Sequence, residues 1–115
     1  MDTGMKVVLC GANAYNKKYF LNPDFSRIPD QVKKELNILC VLFTEQQSGT
    51  FSMGFDEEGR LLLSTGHEPG DMKYDEIACE EAVRYVQEDK ARLIQQLTLY
   101  YNVLMLGKSP EAIEF

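Results

Sequence analysis

One histidine, three cysteines and no apolar run approaching ~20 residues leave this chain of 115 residues few routes to chemistry. With His67 alone, a multi-histidine metal site within one chain is ruled out. Cys10, Cys40 and Cys79 are odd in number and form no CxxC pair. That pattern supports neither a disulfide framework nor a zinc site, and reduced thiols in a cytoplasmic protein are expected. No segment is long and apolar enough to cross a bilayer, and the opening MDTGMK is not a secretory signal. The Gly-x-Gly-x-x-Gly, Walker, His-Glu-x-x-His and Gly-x-Ser-x-Gly motifs are all missing. No catalytic residue, metal or cofactor is therefore expected. Internal repeats, low-complexity tracts and linkers are missing too. The length suits one domain over residues 1–115, with flexible ends at 1–4 and 108–115.

What is present is acidic. The first 55 residues carry six Lys and Arg against five Asp and Glu, and the rest carry six against thirteen. A pI near 4.7 argues against binding the phosphate backbone of nucleic acid, which needs clustered positive charge. It also argues against an electrostatic membrane anchor. The acidic half reads as a solubilising surface, with a basic peptide or partner as the sharper alternative.

The clearest local pattern lies in residues 35–66. Phe51, Met53 and Phe55 alternate with Ser52 and Gly54, as in a strand with one buried face. Asp56 to Gly59 supplies a turn, in which Gly59 takes the positive φ that closes a short hairpin. RLLLS, residues 60–64, fits a more fully covered return strand. Upstream, Pro29 opens a helix that ends at Ser48 and Gly49. Val32, Leu36, Leu39, Cys40 and Phe43 follow at helical spacing, and ILCVLF (38–43) is expected to be buried on most sides. Residues 6–10 (KVVLC) and 17–21 (KKYFL) read as strands around the turn-rich GANAYN. Cys10 is expected to be a buried strand cysteine, and Cys40 and Cys79 small core residues.

Asp75 is a suitable N-cap for a last helix running to about Leu106. At 1.5 Å per residue it would reach about 48 Å, beyond the ~30 Å of a small domain. Such a helix must break, protrude or pack on another chain. Its apolar seam, from Cys79 to Leu104 in alternating four- and three-residue steps, is interrupted at Lys90. A bend near Glu88, Asp89 and Lys90 is expected, with a homodimer as the other outcome. The ending LTLYYNVLML is apolar around nearly its whole circumference and must be buried by something. Leu97, Tyr100, Tyr101 and Leu104 are the candidates for a partner or dimer interface.

Three weaker constellations can be drawn. His67, Glu68, Asp71 and Asp75 form an acidic loop without recognised ligand spacing. Cys10 and His67 would make a nucleophile pair only if the fold joined them. The Gly11–Asn16 turn has residues small enough for a ligand to approach, though such turns usually only reverse the chain.

Over residues 5–107, KVVLCGANAYNKKYFLN, ELNILCVLFTE, the DEEGRLLL hairpin and the LYY ending resemble a family of short uncharacterised proteins from Gram-positive bacteria. That resemblance implies no activity. Residues 32–97 resemble in pattern the C-terminal half of type III secretion chaperones: VKKELNILC, GTFSMGFDEEGRLLLST, then an acidic helix. That resemblance implies a small acidic cytosolic dimer that binds extended protein segments and carries no catalytic residues. The expected fold is α+β in β-β-α-β-β-α order, an antiparallel sheet against a central helix and a long C-terminal helix. The expected function is a non-enzymatic cytoplasmic binding module, a homodimer. It would recognise a protein or peptide through an apolar helix surface or a sheet edge such as residues 17–21. The alternative is a small-ligand or enzymatic domain using the Gly11–Asn16 turn and the Gly66–Asp71 loop.

Overall fold

A computed structural model of the chain describes residues 4–109 and Glu111. The other residues of the two ends, 1–3, 110 and 112–115, lie outside it. Four strands form one antiparallel sheet: β1 (Val7–Asn13), β2 (Lys18–Leu21), β3 (Thr50–Phe55) and β4 (Leu61–Gly66). Their spatial order is β2-β1-β3-β4. β1 therefore lies beside β2, its hairpin partner, and β3, from which α1 (Asp30–Gln47) separates it. The expected α+β class and antiparallel sheet are present.

β1 runs further than KVVLC. Gly11, Ala12 and Asn13 pair with Phe20, Tyr19 and Lys18 on one side, and with Ser52, Phe51 and Thr50 on the other. Two neighbours with free backbone groups outweigh the turn preference of small residues. A register shift between Val8 and Cys10 turns Leu9 and Cys10 both inward, and each is fully buried. The inner face then presents Cys10, Ala12, Phe51, Met53 and Phe55 to Leu36, Cys40 and Phe43 of α1. Phe43 stacks on Phe51 with ring centroids 4.2 Å apart. β4 is half-buried along its length rather than covered, because it is an edge strand.

Between β2 and α1, a short turn (Pro23–Phe25) drops Phe25 into the core. Asn22 holds that turn, its Oδ1 accepting from Asp24 N and its Nδ2 donating to the Val8 carbonyl. Phe25, Phe55 and Tyr101 form an aromatic stack, with Phe55 and Tyr101 centroids 4.1 Å apart.

The long helix breaks. α2 (Glu76–Asp89) begins at Asp75, whose carboxylate accepts from Ile77 N and Ala78 N. Lys90, at φ −105° and ψ 22°, leaves helical geometry, and α3 (Ala91–Tyr100) follows. The break falls where the apolar seam is interrupted. It lets α2 pack on α1, and α3 on β4. The chain then widens through one π-type turn (Tyr101–Met105), with Leu106 N bonded to the Tyr101 carbonyl.

Candidate functional site

Two concave features stand out. The first is an apolar groove of about 420 Å³ between α1 and α2. Leu39, Phe43, Ala82 and Val86 line its inner part, and all are buried or half-buried. Ile38, Leu42 and Tyr85 stand along it with 58 %, 47 % and 66 % of their surface exposed. Ile38 and Leu42 are one helical turn apart on α1, so they form a continuous ridge. The ILCVLF segment is thus buried on the sheet side and open on the groove side. α2 is acidic: Glu76, Glu80, Glu81, Glu88 and Asp89 outnumber Arg84.

The second is a cavity of about 630 Å³ between the β1–β2 turn and the end of α1. One of its walls is held by a latch joining three loops. Tyr15 Oη donates to Asp71 Oδ2 (2.6 Å) and accepts from Glu68 N (2.9 Å). Ser48 Oγ donates to the same Asp71 oxygen at 2.7 Å, and Lys73 N donates to Oδ1 at 3.0 Å. The hydrogen bonds from Tyr15 and Ser48 hold the Asp71 carboxyl below the usual carboxylate range. The same bond to Asp71 pushes the Tyr15 phenol up. The Gly11–Asn16 and Gly66–Asp71 segments, paired in the ligand reading of the sequence, do meet here. What joins them is Tyr15 and Asp71, 56 residues apart, a pairing with no periodic signal to reveal it.

Next to Tyr19 of the cavity wall lies a thiol pair. Cys10 Sγ and Cys40 Sγ are 3.7 Å apart, both fully buried and free. Contact with Cys10, together with burial, pushes the Cys40 thiol up. Among the described residues the buried Tyr19 hydroxyl has no hydrogen-bond partner within bonding geometry, and burial first, then Cys10 and Cys40, raise its pKa.

The residues named from sequence have separate duties. Leu97 and Tyr101 are each 3 % exposed and belong to the chain's own core. Tyr100 is half-buried beside Phe25, whereas Leu104 is exposed. His67 stacks on Tyr74 and its Nδ1 lies 3.1 Å from the Glu68 carbonyl. It is exposed, whereas Cys10 is sealed against Cys40, so no dyad forms. Asp71 serves the latch and Asp75 the cap of α2. β2, the strand proposed as an open edge, does lie at the edge of the sheet.

Among the described residues no helix is long and apolar enough to cross a membrane. No curated protein and no solved structure matches the chain. Residues 6–109 match DUF6145, a family of unknown function, and the chain belongs to that family.

Proposed function

We propose that this chain is a non-enzymatic binding module that seats an amphipathic segment of a protein partner in the α1–α2 groove. The observation that carries the reading is the exposed ridge of Ile38 and Leu42 facing Tyr85 across a groove already lined by core residues. An apolar helix face laid into such a groove buries both surfaces without needing a sheet edge. Charge selects the occupant. Of the charged residues lining the groove, Glu35 and Asp89 outnumber Lys90, and the rest of α2 is acidic too, so the favoured partner carries Lys or Arg beside its apolar face. A second copy placed there would bring two acidic helices together. Three free, buried cysteines suit a cytoplasmic setting. The likeness of residues 32–97 to secretion chaperones, which bind protein segments, supports the same class by analogy.

The test uses a synthetic helical peptide with leucine on one face and lysine on its flanks, alongside a scrambled peptide of equal composition. The ordered peptide is expected to bind and to shift the amide signals of Ile38, Leu42 and Tyr85. Leu42→Asp should abolish binding without lowering the unfolding temperature, since Leu42 is half exposed. Equal binding of the scrambled peptide, or unchanged binding by Leu42→Asp, would overturn the reading.

Self-association has its own observation. Leu104 is 70 % exposed, and Leu99, Met105 and Leu106 around it are also exposed. We assign this patch to a homodimer contact. Light scattering should give twice 13.1 kDa, reverting to the single mass in Leu104→Asp. A clean monomer of the parent chain removes the dimer while leaving the groove reading intact.

A further inference from the structure

The cavity beside the β1–β2 turn differs in charge from the rest of the molecule. Lys17, Lys18 and Lys73 line it against one carboxylate residue, Glu45, in a chain of net charge −6. Ala12, Val41 and Tyr19 give it an apolar lining. Lys73 Nζ donates to the Glu45 carbonyl at 3.2 Å, which places its ammonium at the end of α1. The wall carrying Tyr15 is fixed by its bonds to Asp71 and Glu68. A preformed pocket of this size, apolar inside and with a few charges at its margin, suits a small molecule.

The backbone adds an independent observation. Lys17 sits at φ 54°, in the left-handed region that glycine enters freely and a residue with a Cβ enters at a cost. Side-chain bonds brace the turn on either side of Lys17: Asn13 Oδ1 accepts from Tyr15 N, and Asn16 Oδ1 accepts from Lys18 N. Glycine or asparagine is the low-strain choice there. The chain instead carries a lysine whose side chain lines the cavity, a strained residue at a concave site.

We propose that this cavity binds a small organic anion: an apolar body carrying a carboxylate, sulfonate or phosphate group. The body packs on Ala12, Val41 and the Tyr19 ring, and the anionic group meets the ammonium groups of Lys17, Lys18 and Lys73. The site shares no lining residue with the α1–α2 groove, so it is a second site and does not depend on peptide binding.

Lys17→Gly separates this role from a structural one, because it relieves the backbone while removing the charge. The probe is 1-anilinonaphthalene-8-sulfonate, with N-phenyl-1-naphthylamine as its neutral counterpart, each titrated into the full chain. The sulfonate should shift the amide signals of residues 12–19 and 44–48. Lys17→Gly should raise the unfolding midpoint by about 4 °C. The same variant should weaken the sulfonate about fivefold and leave the neutral probe unchanged. Lys18→Gln combined with Lys73→Gln should weaken the sulfonate by at least about tenfold at the same midpoint. Shifts confined to Ile38, Leu42 and Tyr85 would overturn the proposal. So would sulfonate affinity indifferent to Lys17→Gly, or a midpoint that does not rise.

Discussion

Gly59 closes the β3–β4 turn at φ +83°, with its N–H donating to the Asp56 carbonyl at 3.0 Å. Directly over it lies Asn102, 2 % exposed, whose Nδ2 donates to the carbonyls of Gly59 and Thr98 at 2.8 Å each. A methyl group at Gly59 would overlap that amide. The expected cost of Gly59→Ala has three parts. Alanine in the left-handed region costs about 1–2 kcal/mol. Displacing the amide weakens two buried hydrogen bonds, about 1 kcal/mol each. The stiffer unfolded chain returns about 0.4–1 kcal/mol. The net is a loss of about 2–3 kcal/mol, or roughly 10 °C in the unfolding midpoint for a domain of this size. Urea and thermal unfolding followed by circular dichroism measure it. Asn102→Ala supplies the control: with the amide gone, Gly59→Ala should cost only its backbone share, about 1 kcal/mol. A Gly59→Ala cost under ~0.5 kcal/mol, or the same cost with and without Asn102, would refute the clash with the Asn102 amide.

Tyr101→Asp and Leu97→Asp should each prevent stable folding, because a carboxylate would be desolvated in the core; a folded variant with an unchanged midpoint contradicts this. Asp71 has a carboxyl pKa lowered by Tyr15 and Ser48, so its stabilising effect is present above the unfolded value near ~3.9 and is lost as pH falls through the lower folded value. Unfolding midpoints of the parent should therefore drop more steeply below about pH 4 than those of Asp71→Asn; parallel curves would refute the latch. All three thiols should resist iodoacetamide in the native protein and react in denaturant, since each is buried and Cys40 is held protonated beside Cys10. Rapid native labelling of Cys10 or Cys40 would place them elsewhere.

Elements governed by local periodicity were legible from the residues. Phe51, Met53 and Phe55 announced β3, Asp75 announced the start of α2, and the polar interruption at Lys90 marked where the long helix breaks. Features decided by distant neighbours were not. GANAYN has turn composition, yet Gly11–Asn13 is strand because β2 and β3 both pair with it. ILCVLF is apolar on all sides, which says that it prefers burial and not which side finds a partner. Ile38 and Leu42 stay exposed because α2 reaches only the neighbouring face of α1. The latch and the lysine-lined cavity depend on bringing residues 15, 48 and 71 together. No short-range spacing encodes that meeting.

The position of β1 also governs how the protein is made. The β1–β2 hairpin can close soon after its residues leave the ribosome, but the other edge of β1 has no partner until Thr50–Phe55 has followed α1 out. At roughly 5–20 residues per second that interval lasts a few seconds. During it, VVLCGAN presents an uncharged strand edge of the kind that templates aggregation. Cys10, sealed in the finished protein, passes through the same interval with its thiol open to solvent.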